Sequence, residues 1–231
     1  MSAHTASRST SRGGARTAAD SRAAKKEILQ RIKRAQKMAK LPKDVEIPRD
    51  YQQTSSLPAD EVRDVLVDRL EDYHAEVHVT DADGLAQTVA DVLKDRECTD
   101  IVHAPGLGED VLTSFAGSAR ADDPASDPRD LGDIDAVVTE SKVSCALTGT
   151  IALESSESNG RRAVALVPDR HVCIVRDEDI VYTVPEMISR LDPERPTTLF
   201  SGPSATSDIE LERVEGVHGP RDLIVVIVKQ G

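Results

Sequence analysis

The sequence has no tryptophan, two phenylalanines and three tyrosines in 231 residues. A core without large rings must be built from Val, Ile, Leu and Ala. The same scarcity argues against nucleic-acid modules that stack bases on aromatic side chains. Cysteine is equally sparse. Cys98, Cys145 and Cys173 lie far apart, with no CxxC pair. That excludes a disulfide framework and a zinc finger, and it leaves no ligand set for an Fe–S cluster within this chain. Each cysteine reads as a small buried apolar residue in a reducing compartment. No apolar run approaches the roughly 20 residues that span a bilayer. The N-terminus has Arg and Ser but no apolar h-region, so a secretory signal is not expected and the expected location is cytoplasmic.

Charge is abundant and uneven. The formal net charge is -12. Residues 1–40 hold 11 Lys/Arg and two acids, whereas residues 41–231 hold 18 basic and 39 acidic residues. An acidic body gains nothing from phosphate attraction, so nucleic-acid binding is not expected there. Residues 1–20 read as a disordered basic tail, poor in apolar residues and rich in Ser, Arg, Gly and Ala. Residues 21–58 read as a helix followed by a linker. Ile28, Ile32, Ala35 and Ala39 form a narrow stripe on one helical face, and three prolines punctuate residues 41–58.

Residues 59–231 read as an α/β domain. Val62, Val65, Leu66, Leu70 and Tyr73 share a helical face, and "AEVHVT" (75–80) alternates as a strand does. A helix follows through Leu85, Val89, Val92 and Leu93. "DIVHAPGL" (100–107) is strand into loop, with a short helix expected near 108–116. Residues 118–133 read as an acidic loop and "IDAVVTE" (134–140) as a central strand. "TGTIALES" (148–155), "RAVALVP" (162–168) and "HVCIVR" (171–176) then follow too closely for intervening helices, which predicts an antiparallel meander. "VPEMISRL" (184–191) is a short helix. "TTLFSG" (197–202) and "LIVVIV" (223–228) are strands, the last fully buried. The expected architecture is therefore a mostly parallel sheet with an antiparallel addition.

Three segments of small polar residues are candidates for ligand binding. They are Thr148-Gly149-Thr150, the stretch "SGPSATSD" (201–208), and "GVHGP" (216–220). In an open α/β sheet, ligands sit beyond the carboxyl ends of the strands, and these segments are candidates for such connections. Glycine admits close backbone approach, while hydroxyls and free N–H groups hold anions. No P-loop, GxGxxG or GxSxG pattern is present. Within the second segment, Gly202, Ser204, Thr206 and Asp208 are the binding candidates. Asp208 can hold a ligand hydroxyl or cap the residues after it. In the third, His218 and Gly219 are the candidates, with His218 either a general acid/base or a histidine that fixes a tight turn. Arg162, entering the apolar run that ends at Pro168, has the reach to pair with a carboxylate or phosphate. Glu140 and Glu154 flank the first segment as formal nucleophile candidates, and His171 reads as structural. His218 and Asp208 are the catalytic candidates, and no metal site is expected.

"TGTIAL", "RRAVALVPDRHVCIV", "SGPSATSDIE" and "GVHGPRDLIVVIV" occur in the order found in the LUD domain family, which the chain resembles over roughly residues 60–229. The resemblance implies a fold like that of the NagB/RpiA/CoA transferase group. It also implies a place in a three-protein system that oxidises L-lactate to pyruvate. The Fe–S clusters of that system are expected in the partner proteins and no cofactor in this chain. One departure stands out: where the family usually carries an acid directly before "TGT", this chain has Leu147. A second reading keeps the chain as a stand-alone α/β enzyme or binding protein for a small anion of the sugar-phosphate or CoA type.

Overall fold

The computed structural model describes residues 18–42, 44–206, 214–215 and 219–230. The chain divides into two units, Met1–Asp50 and Tyr51–Gly231. In the first, α1 (Ala18–Met38) is a helix with Ile28, Leu29 and Ile32 exposed. The second unit begins with α2 (Ala59–Asp72), β1 (Glu76–Thr80), α3 (Leu85–Asp95), β2 (Asp100–His103), β3 (Ser118–Ala121), β4 (Ala136–Glu140) and β5 (Val143–Cys145). It continues through β6 (Thr150–Glu154), α4 (Arg162–Leu166), β7 (Arg170–Arg176), β8 (Ile180–Val181), α5 (Val184–Ser189), β9 (Thr197–Phe200), β10 (Ala205–Thr206), β11 (Val214–Glu215) and β12 (Asp222–Val228).

Six strands form a parallel sheet in the order β1-β12-β7-β4-β2-β3. Strand β12 lies inside it and is buried on both faces, as an unbroken Leu-Ile-Val run requires. Alternation assigns its residues to two cores. Ile224, Val226 and Val228 pack with Leu85, Val89, Val92 and Leu93 of α3. Leu223, Val225 and Ile227 pack with Val62, Leu66 and Leu70 of α2 and with Ile151 and Leu153 of β6. Each such side chain, fully buried, contributes about 1.5–3 kcal/mol. The second face therefore carries a smaller sheet as well as a helix. That sheet has the order β8-β5-β6-β9, with β5–β6 and β6–β9 antiparallel.

The mixed architecture is the expected one, but its antiparallel part is built from other segments. "RAVAL" is helix α4, not a strand. The run is short and rich in alanine, and Val164 and Ala165 turn toward different clusters at helical spacing. Strand β7 accordingly joins the parallel sheet. The helix expected near 108–116 is a succession of turns bonded three residues back, Leu107 N to Ala104 O and Val111 N to Gly108 O. Pro105, Gly106 and Gly108 disfavour continuous helix there. The acidic loop includes the exposed edge strand β3. The tail read over 1–20 lies outside the described residues except for Ala18–Asp20 at the start of α1. Among the described residues, no helix is long and apolar enough to cross a membrane.

Candidate functional site

The described parts of the three small-residue segments are joined by hydrogen bonds. Gly149 takes a left-handed φ of 59° at the end of a short 3-10 turn, and Thr150 then opens β6. The Thr150 Oγ1 hydroxyl is hydrogen-bonded to Thr148 Oγ1 at 2.8 Å and to Ser201 Oγ at 2.9 Å. Gly202 has φ 95°, and a Cβ there would lie 2.6 Å from Tyr73 O. Glycine is therefore required both for the backbone angle and for the close approach. Two residues on, Ser204 N donates to Pro220 O at 2.7 Å, joining the second segment to the third.

Beside the second segment and Gly219–Pro220 there is a cleft of about 240 Å³, which Thr148, Gly149 and Thr150 do not line. Ser201, Gly202, Ser204 and Gly219 line one side, and Leu166, Leu199 and Leu223 supply apolar walls. His171 and Phe200 complete it, with ring centroids 5.4 Å apart and planes tilted by 50°. The cleft opens between the two sheets at the amino ends of β7 and β12, because His171 and Leu223 are near the first residues of those strands. The expectation of a site beyond the carboxyl ends is thus reversed for this cleft.

The reason lies at the carboxyl ends. The crossovers from β2 and β4 leave in opposite directions, to β3 and to β7, so their ends frame the crevice that α/β sheets ordinarily offer a ligand. Here the turn at 156–160 lies against it. Buried Asn159 donates through Nδ2 to Glu140 O at 2.6 Å and accepts from Glu154 N at 3.2 Å, and Gly106 N donates to Glu157 O at 2.7 Å. Glu140 is ion-paired with Arg176 across β4 and β7. Glu154 is buried and accepts from Asp192 N at 2.5 Å. Both glutamates proposed as nucleophiles are engaged in internal contacts.

His171, read from the sequence as structural, is among the residues that line the cleft. Its side chain is 1% exposed, and its Nε2 is hydrogen-bonded to the buried Thr139 Oγ1 at 2.7 Å. Burial pushes the imidazole pKa from 6.5 to about 4, so the ring is neutral near pH 7. The available signal was a polar residue heading an apolar strand, on the same face as Cys173 and Val175; its register partner in β4 is Val137, and the lone Thr139 of "AVVTE" sits opposite Cys173. Among the described residues, no Lys or Arg lines the cleft. The neighbouring cations are paired elsewhere. Arg170 donates to Asp222 at 2.7 Å, and Arg221 pairs with Asp169.

The remaining candidates fall out as follows. Arg162 is exposed at the first position of α4 and does not line the cleft, so the reading of an arginine entering a strand is overturned. The preceding Arg161 is instead held by Asp122 at 2.8 and 3.0 Å and by Ser126 O at 3.0 Å. Thr206 pairs with Val214 in the short β10–β11 ladder. Asp208 and His218 lie outside the described residues. Leu147, standing before the Thr-Gly-Thr segment, is 43% exposed. No group of three His, Cys, Asp or Glu side chains among the described residues is placed to hold a metal ion.

A mainly parallel α/β sheet, a second smaller sheet on one face and a glycine- and hydroxyl-lined cleft between them define the class of domain. The LUD domain family model matches residues 63–228, and the chain belongs to that family. The lactate utilization protein C of Deinococcus radiodurans is 39% identical over 187 residues, 77% of this chain and 84% of that protein. The protein of the same name from Halalkalibacterium halodurans is 25% identical, covering 74% of this chain and 80% of its own length. A crystal structure of a DUF162 family protein from Deinococcus radiodurans superposes with TM-score 0.63 at 31% identity, over 74% of this chain and 99% of that one.

Proposed function

We propose that this protein acts in lactate utilisation as a subunit without redox groups of its own, working with Fe–S partner proteins, and that its cleft holds a small organic anion. The similarity over most of the chain to proteins named lactate utilization protein C carries the reading. The cysteines support placing the clusters on partners. Cys98, Cys145 and Cys173 lie in three different apolar clusters, too dispersed to ligate one Fe–S centre. Sugar-phosphate and CoA-type ligands fit less well, because multiply charged phosphates favour cationic partners and the described lining has none.

The test is a deletion in a host with no other lactate dehydrogenase. Growth on L-lactate should be lost, growth on pyruvate kept, and the tagged chain should co-purify with Fe–S proteins. Normal growth on lactate would overturn the proposal.

A further inference from the structure

Helix α1 carries a surface of its own, and what that surface fits does not depend on the pathway reading. Ile28 and Ile32 stand one turn apart on one face, with Leu29 beside them. They are exposed by 56% for Ile28 and 48% each for Leu29 and Ile32. Cations flank this apolar strip. Arg22, Lys25, Lys26, Leu29 and Lys33 line one shallow hollow on the helix, and Lys33, Lys37, Lys40 and Leu41 line a second at its carboxyl end. Arg31 flanks the other side, three residues on from Ile28, and its Nη1 lies 4.0 Å from Glu27 Oε1. Residues 21–40 hold eight Lys/Arg and one acid, that same Glu27.

A nucleic acid on this helix would neutralise the cations and leave the three aliphatic side chains in water. A second copy of the helix would bring like charges together along both flanks. A shaped protein groove draws its energy from rings and deep knobs, and α1 has no Trp, Tyr or Phe. A lipid surface with anionic headgroups asks for apolar area without shape and for cations at its rim. The alkyl stems of Lys25 and Lys33 can lie on the hydrocarbon while their ammonium groups stay among the headgroups. Such attraction acts within a Debye length, about 10 Å in moderate salt. The whole chain has a net charge of -12, so its overall charge opposes an anionic surface and only a local basic face favours one.

We propose that α1 lies flat on an anionic lipid surface, with Ile28, Leu29 and Ile32 at the acyl boundary and the flanking Lys and Arg among the headgroups. The contact is reversible. Three aliphatic side chains and a basic rim hold it, and raising the salt weakens it. Attachment resides in the first unit of the chain and needs no spanning segment.

Co-sedimentation of the full chain with vesicles tests this, one set of phosphatidylcholine and one of equal parts phosphatidylcholine and phosphatidylglycerol. The anionic vesicles should bind the chain at least about tenfold more tightly, and added salt should release it. Ile28→Gln combined with Ile32→Gln keeps helix propensity and every charge, and should weaken binding about tenfold. Lys26→Gln combined with Lys33→Gln should weaken it by a similar factor. The chain has no Trp, so Leu29→Trp supplies a single reporter. Its emission should move to shorter wavelength on anionic vesicles and stay unmoved with RNA at matched phosphate concentration. Absence of binding to anionic vesicles at low salt overturns the proposal. So does binding that survives the paired isoleucine substitutions, which is adsorption by charge alone. If those substitutions melt the helix, the Leu29→Trp emission decides: no shift on saturation with anionic vesicles overturns the proposal. Tighter binding to RNA with an unmoved emission overturns it in favour of a nucleic acid. Dimers that the isoleucine substitutions abolish, without vesicle binding, overturn it in favour of a second copy. Growth of the deletion strain on lactate bears on the pathway reading alone and leaves each of these outcomes distinct.

Discussion

The two ends of the parallel sheet have exchanged their usual parts. The carboxyl ends of β2 and β4, where ligands ordinarily bind in such sheets, are occupied by the protein's own Asn159 and Glu157 and by the Glu140–Arg176 pair. The amino ends of β7 and β12 are open, and there the glycine and serine turns leave the cleft. One end is polar, internally satisfied and closed. At the other, the charges are paired with each other, Arg170 with Asp222 and Arg221 with Asp169, and the described lining of the cleft holds no Lys or Arg beside its buried neutral histidine. The contrast teaches that topology offers crevices at an α/β sheet, while the side chains of the connecting turns decide which stays vacant.

Perturbing each end separately tests that contrast. The largest effect is expected at the open end. Gly202→Val forces a β-branched residue to φ 95° with its Cβ 2.6 Å from Tyr73 O. It should cost about 3–4 kcal/mol in urea unfolding and abolish growth on lactate. Next comes the proton linkage of His171. Its folded pKa of about 4 lies below the ordinary 6.5, so the unfolded chain takes up the proton first as pH falls. The contribution is present in full above pH 6.5 and is lost between 6.5 and 4, amounting to about 3 kcal/mol. His171→Gln should flatten stability in that window relative to wild type. Carboxylates held down by donors, such as Asp135 with the Thr99 and Asp100 amides, lose their share at lower pH in both proteins. At the closed end, Asn159→Ala strands the Glu140 carbonyl and the Glu154 amide. It should cost about 2 kcal/mol while leaving growth on lactate intact. An equal loss of growth in that variant would move the functional site to the carboxyl ends. The smallest effect is expected for Arg162→Ala, which removes an exposed side chain: under about 0.5 kcal/mol, with no change in growth.

Most of the scaffold was legible in the sequence. Helical spacing marked α2 and α3, alternation marked β1, and the run "LIVVIV" marked a central buried strand. The pairing of "SGPS" with the Gly-Pro before the last strand was also readable as a motif, and the Ser204–Pro220 bond is its physical content. What escaped was decided by tertiary packing. The pattern "RAVAL" fits a buried strand or a short helix equally, and only its neighbours choose. Strand β5 is three residues long, too short for any period to show. His171 read as structural because it follows the Pro168–Asp169 turn, and its partner Thr139, distant in sequence, comes within reach only when β4 pairs with β7. The filling of the carboxyl-end crevice escaped too: Asn159 reads in sequence as half of an Asn-Gly turn and in the structure is buried against Glu140.

The row Thr148–Thr150–Ser201 has one further property. Each hydroxyl has a single proton to give, so the two bonds of the row can run in either of two senses. A guest that accepts a proton from Ser201 allows every O–H of the row to point toward the cleft, whereas one that donates to Ser201 leaves the Ser201 proton free to turn back to Thr150. The row thereby connects the hydroxyl at the cleft wall to Thr148, which adjoins the exposed Leu147.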